Sequence, residues 1–177
     1  RQRQMCIRDR TQTGGHEMAS SPTRGVSIGG YGGPNGRYAT NEFITTHTLG
    51  NGQEFSELPN ARNDAFGVSS ATRGVFLGGG QPSPLPDQTD AITFVELATL
   101  GNAVDFGNLI NIGQSHAGTS NKVRAVKTNG YLGSPVSGTT NRMEYVNIAT
   151  GGAAIEFGDA TYNATSSGAH SNAGGGL

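Results

Sequence analysis

The chain has 177 residues, 29 of them glycine, with 14% charged and 33% hydrophobic residues, no tryptophan and a formal net charge of −1. So much glycine and so little charge exclude a helical bundle or coiled coil, which is rich in Ala, Glu, Lys and Leu, and the glycines keep no three-residue period of the collagen kind. No apolar run approaches the ~18 residues of a membrane-spanning helix, so no membrane partner is expected, and a turn-rich, all-β chain of one-domain length remains.

The first segment, residues 1–12, differs from the rest and reads as a non-native or disordered leader. It holds Arg1, Arg3, Arg8, Arg10 and the single cysteine, Cys6. It looks like translated sequencing-adapter read-through, and it lacks the apolar stretch of a signal peptide. A basic arm for nucleic-acid phosphate is the functional alternative. Without residues 1–10 the basic count falls from 12 to 8 and the acidic count from 13 to 12, so the net charge becomes −4. An acidic body with two lysines offers no basic footprint for nucleic acid, and it has no cysteine for a disulfide or a thiolate metal site.

Residues 13–177 are a repeat array. Thr23-Arg24-Gly25-Val26-Ser27-Ile28-Gly29-Gly30 recurs as Thr72-Arg73-Gly74-Val75-Phe76-Leu77-Gly78-Gly79, and more loosely from Val123-Arg124 to Gly130-Tyr131. The arginines stand 49 and 51 residues apart, and a second marker, Phe55, Phe106 and Phe157, repeats at 51 and 51. The units are 22–70, 71–121 and 122–171. In the second unit, strands are predicted at Gly74–Leu77, Ala91–Leu97, Asp105–Leu109 and His116–Ser120. Stops fall at Gly78-Gly79-Gly80, the Pro-rich loop Gln81–Gln88 and the turn Thr99–Gly101. Four short strands joined by tight turns describe an antiparallel sheet. Apolar residues fall on both of its faces (Val75, Leu77, Ile92, Phe94, Phe106, Leu109), so copies must stack face to face to bury them. Radial stacking of such sheets builds a β-propeller, which closes with roughly four to eight blades. Three units and a preceding strand at Thr13–Ser21 predict a section of a longer array, or a subunit of an oligomer that closes the ring jointly.

On these residues the array resembles kelch repeats, one of the sequence types that build propeller blades. The first unit supplies Gly29-Gly30, Asn41, Phe43-Ile44, Thr48, Phe55-x-x-Leu58, Pro59 and Arg62. The second supplies Gly78-Gly79, Asp90, Ile92, Phe94, Thr99 and Phe106-x-x-Leu109, and the third Asn141, Tyr145, Thr150 and Phe157. The family usually has Trp where Phe55, Phe106 and Phe157 stand, and the third unit has Asn129-Gly130 in place of Gly-Gly. The phrasing, with Arg-Gly-Val, Ala-Thr-x-Gly-Asn and Asp-Phe-Gly, also resembles repeat arrays of marine bacteriophage tail-fibre and virion proteins. The resemblance implies a non-enzymatic binding or structural module on a virion or in an extracellular setting, meeting a cell-surface glycan or protein. A propeller-type glycan-processing enzyme and an intracellular protein-binding adaptor are the alternatives.

Candidate chemistry is sparse. His16, His47, His116 and His170 lack metal-ligand spacing and read as surface or strand-edge residues, so no metal and no cofactor are expected. Gly113-Gln114-Ser115-His116-Ala117-Gly118 lacks the second glycine and the helix of a nucleophile elbow. Glu54, Asp105 and Glu156 share one repeat position, where a turn cap or pairing with Arg24, Arg73 and Arg124 is expected rather than catalysis. The binding candidates lie on the variable loops Tyr31–Tyr38, Gly80–Gln88 and Tyr131–Thr139, which differ while the strands around them repeat. Their candidate residues are Tyr31, Arg37, Tyr38, Gln81, Asp87 and Tyr131. The structural repeat positions are Arg24, Gly29, Gly30, Phe55, Arg73, Gly78, Gly79, Phe106, Arg124 and Phe157.

Overall fold

The computed structural model describes residues 14–32 and 36–165, and the backbone of 170–171; the leader at 1–12 lies outside them. Every regular element among the described residues is a strand. The chain opens with β1 (Glu17–Ser20), β2 (Arg24–Ile28), β3 (Thr40–Thr45) and β4 (Gln53–Glu57), an antiparallel meander of four strands in chain order. The pattern recurs in β5 (Phe66–Ser69), β6 (Arg73–Leu77), β7 (Thr89–Glu96) and β8 (Val104–Gln114). It recurs again in β9 (Ala117–Ser120) and β10 (Arg124–Thr128), with a short β11 (Tyr131–Leu132) before β12 (Gly138–Asn147) and β13 (Ile155–Ala164). β11 pairs with both β8 and β12 and so ties the second sheet to the third, while β14 (His170–Ser171) lies parallel to β9.

These sheets run one strand out of phase with the sequence units. The strand at Ala117–Ser120 does not close the second unit; it pairs with β10 and opens the third sheet. The reason is the turn before each repeated arginine, which is a tight hairpin inside a sheet. Ser21, Ser70 and Asn121 each donate their N–H to the carbonyl of Arg24, Arg73 and Arg124, at 2.8, 2.9 and 2.9 Å. Their side-chain oxygens accept the arginine N–H in return, at 3.1, 3.1 and 2.8 Å. Ser and Asn make such local turns readily.

Both faces of the second sheet are buried, as strand alternation demands. Along β6, Val75 and Leu77 join Ile92, Phe106 and Leu109 in a cluster completed by Ala125, Val146 and Ile148 of the third sheet. Phe76 points the other way and joins Val95 and Leu97 against Ala19, Val26, Ile28 and Leu58, so each cluster fills one seam between neighbouring sheets. Within each sheet an aromatic of the third strand meets one of the fourth edge to face: Phe43–Phe55, Phe94–Phe106 and Tyr145–Phe157, at 6.0, 5.7 and 6.1 Å.

The first two repeated arginines work across the seams. Arg24 lies over Phe43 at 5.3 Å and donates to the carbonyls of Leu97 and Ala98 in the second sheet. Arg73 lies over Phe94 at 4.8 Å and donates to Ile148 and Ala149 at 3.1 and 2.6 Å in the third. The expected pairing with Glu54, Asp105 and Glu156 is not what forms: those three carboxylates are exposed, and Arg73 takes Glu96 instead at 2.8 Å. Glu96 sits directly opposite Arg73 in the β6–β7 register, which makes it the nearer partner.

The Gly-Gly pairs end the second strands in a left-handed corner, with φ of +57° and +116° at Gly29-Gly30 and +65° and +116° at Gly78-Gly79. A Cβ at Gly29 would lie 2.3 Å from the carbonyl oxygen of Arg62. Asn129-Gly130 keeps the same turn at +55° and +115°, because asparagine enters the left-handed region at little cost.

Candidate functional site

The three variable loops leave their sheets at one repeated corner, and three equivalent bridges anchor them. Gly14 pairs with Tyr31, Asn63 with Gly80, and Gln114 with Tyr131. Each loop then closes on itself through Tyr31–Arg37, Gly80–Gln88 or Tyr131–Thr139. Tyr31, Gly80 and Tyr131 therefore occupy one column on three successive sheets. The two tyrosines are 57% and 38% exposed.

Gly80 is small for lack of room rather than for its backbone angle. A Cβ there would lie 2.7 Å from Gln114 Oε1, 2.9 Å from Asn63 Oδ1 and 3.1 Å from Arg37 Nη2. Arg37 reaches from the first loop to the linker before β5, where its Nε–H donates to Asn63 Oδ1, and the Asn63 amide donates to Asp64 Oδ2 at 2.7 Å. Asp64 holds a left-handed φ of +51°, the conformation taken one unit on by Ser115 at +55° and one unit back by Gly15 at +63°. The result is a close-packed polar corner, in which Arg37, Asn63 and Gln114 converge over the buried Gly80, with an exposed tyrosine on the sheet to either side.

Charge beside this corner is unusual. Glu17, half-buried at the start of β1, has its carboxyl pushed up to about 8, first by burial and then by the charge of Asp64. Asp64 is itself raised by burial, against the pull of Arg37. At neutral pH Glu17 thus holds a proton while Asp64 stands beside a guanidinium.

The candidate residues do not all reach this place. Tyr31 and Tyr131 are exposed at the loop corners, with the Tyr131 hydroxyl 3.1 Å from Ser137 Oγ, and Arg37 packs over Gly80. Tyr38 is half-buried and gives its N–H to the Gly30 carbonyl. Gln81 is buried, and its N–H donates to the carbonyl of Asp87, whose side chain is exposed. Asn63, Asp64, Gln114 and Glu17 belong to the site and were missed. The one signal in the sequence is the left-handed column Gly15, Asp64, Ser115, where a lone Asp stands among small residues.

Two further polar features lie inside the seams. Arg62 is buried, donating to the carbonyls of Gly78 and Ala91 and to Thr93 Oγ1, and burial lowers it to about 10. In the next seam Lys127, lowered by burial, pairs with Glu144 at 3.3 Å with both side chains fully buried. Glu144 Oε2 also accepts the N–H of Ile110 at 2.9 Å; one unit earlier that place is Pro59, which has no N–H to satisfy. His116, expected at the surface or at a strand edge, is buried instead. Its Nδ1 lies 2.9 Å from the Asn129 carbonyl, and it is lowered to about 4 by burial and by the Lys127 charge. Its ring fills the space left by Gly113 and Gly130, as Ala65 fills the smaller space beside Gly79. No group of three or more His, Cys, Asp or Glu able to hold a metal occurs among the described residues. The chain matches no family model, and no curated protein matches it.

Proposed function

We propose that the chain is a section of a kelch-like β-propeller whose loop end binds a glycan or protein at a cell surface, in a phage tail fibre or another virion or extracellular assembly, without catalysing a reaction. The observation that carries this reading is the column Tyr31, Gly80, Tyr131. Phenol rings present flat apolar faces with a polar edge, suited to a sugar ring or a protein side chain. Arg37 and the amides of Asn63 and Gln114 add a polar corner between the two rings. The ends of these loops are held by backbone bridges to packed sheets, which lowers the ordering entropy that binding costs. The radial arrangement is supported by the recurrence of the same arginine-to-carbonyl contacts at both seams. The test is a glycan array and a cell-binding assay with the native chain, Tyr31→Ala and Tyr131→Ala. Loss of about tenfold or more in each variant is expected, and undiminished binding in both refutes the loop assignment.

A glycan-processing enzyme is the second reading, and Glu17 favours it. A carboxyl that keeps its proton at neutral pH near a second carboxyl is the pairing that glycoside hydrolysis uses. Turnover of an arrayed glycan that Glu17→Gln abolishes, with binding retained, decides for the enzyme.

A further inference from the structure

We propose that the outer faces of the first and third sheets are two halves of one docking surface, and that its occupant is a second copy of this chain. The inference rests on the propeller reading for its stoichiometry and on the internal seams for its contacts.

At each internal seam the earlier sheet offers an arginine, an aromatic ring and strand carbonyls, and the later sheet offers turn carbonyls, an amide and an apolar side chain. In the first seam Arg24 donates to Leu97 and Ala98, and the Ala103 N–H reaches the Glu57 carbonyl at 3.4 Å. In the second, Arg73 donates to Ile148 and Ala149, and the N–H groups of Gly152 and Ala154 reach the carbonyls of Phe106 and Asn108 at 2.9 and 2.8 Å.

The third sheet repeats the donor half with nothing against it among the described residues. Arg124 lies 4.9 Å over Tyr145, as Arg73 lies over Phe94, but it is exposed and no carbonyl of the described residues accepts from it. Phe157 is 51% exposed where Phe106 is 7%. The first sheet repeats the acceptor half. Thr46 donates its N–H to Thr23 just as Leu97 does to Thr72 and Ile148 to Val123, so the carbonyls of Thr46 and His47 are the counterparts of the pairs that receive Arg24 and Arg73. Leu49 is wholly exposed, whereas Leu100, at its place in the second sheet, packs into the first seam. Ile44 is exposed where Val95 is buried.

One chain thus carries both complementary halves at opposite ends. Copies joined head to tail by such a contact either close or grow without limit. Two copies bring six sheets, inside the range of roughly four to eight in which propellers close. In the closed pair Arg124 of each copy donates to the Thr46 and His47 carbonyls of the other, and Leu49 covers the Phe157 ring.

The test is sedimentation of the full chain from about 1 μM to about 1 mM, with Leu49→Asp, Phe157→Asp and Arg124→Ala, and with Val136→Ser as a control on an exposed loop. Circular dichroism checks that each variant keeps its sheet. The expected result is a species of twice the 18.2 kDa chain mass. Leu49→Asp and Phe157→Asp should each weaken its association about tenfold or more, Arg124→Ala should weaken it too, and Val136→Ser should not. A monomer throughout overturns the proposal, as does a dimer indifferent to both aspartates. Species that keep growing beyond two copies, yet are broken by the same aspartates, uphold the docking surface and refute the closed propeller instead.

Discussion

Phe106 and Phe157 hold the same repeat position, meet the same kind of aromatic partner and differ in what lies on their far side. The second sheet's ring is covered by the turn at Gly151-Gly152, and the third sheet's ring faces outward. Their exposures of 7% and 51% differ by a little under half of a phenylalanine's surface. On a ring that buries ~200 Å², that difference is about 90 Å², or ~2 kcal/mol of transfer free energy at ~25 cal/mol per Å². Phe106→Ala also opens a cavity between two sheets and should cost about 3–5 kcal/mol. Phe157→Ala should cost about 1–2 kcal/mol, since water already reaches half of its ring. The assay is urea unfolding at a concentration where sedimentation shows single copies, with the slope checked for constancy across variants. Equal losses in the two variants would mean that the seam does not bury the Phe106 ring, because only the seam distinguishes the two.

The buried ion pair gives a second prediction. Lys127→Ala leaves the buried Glu144 without its cation and should cost about 3–5 kcal/mol, whereas Lys127→Met with Glu144→Gln, which still accepts the Ile110 N–H, should unfold within ~1 kcal/mol of native. A double variant as unstable as the single one would contradict this, by denaturant melts. His116 gives a third. Its native value near 4 lies below the ordinary 6.5, so its contribution is complete above pH 6.5 and is lost as pH falls from there towards 4, when the unfolded chain takes up the proton first. The loss reaches at most about 3 kcal/mol, and His116→Gln should flatten that limb of the pH–stability curve. Glu17 acts at the opposite end. Its native value near 8 stands above the ordinary 4.5, so its stabilising effect is whole below pH 4.5 and is lost as pH rises towards 8. Glu17→Gln should therefore raise the melting temperature at pH 8 relative to native and gain nothing at pH 4.

The all-β class and the period were legible because Arg24, Arg73 and Arg124, and the three phenylalanines, recur at spacings that only a repeated unit produces. The phase was not, since the hairpin Ser70–Arg73 inside a sheet reads much like a turn between units; pairing register decides it, and register depends on partners remote in sequence. The seam polar groups were hidden for a related reason. Ser27, Phe76 and Lys127 share one repeat position, so nothing in the sequence marks Lys127 as buried until Glu144 comes to face it. The loop tyrosines were legible as variation on a repeating scaffold. The polar corner between them was not, because Arg37, Asn63 and Gln114 converge over Gly80 from separate segments.

Where equivalent sheets lie face to face, the second seam brings the ring of one against the turn of the next. A nuclear Overhauser spectrum of the chain should show cross-peaks from the Phe106 ring to Phe94 within its own sheet and to the α-protons of Gly151 in the next. Both sets together are the predicted result. The Phe94 peaks without any to Gly151 would leave each sheet intact and contradict the stacking.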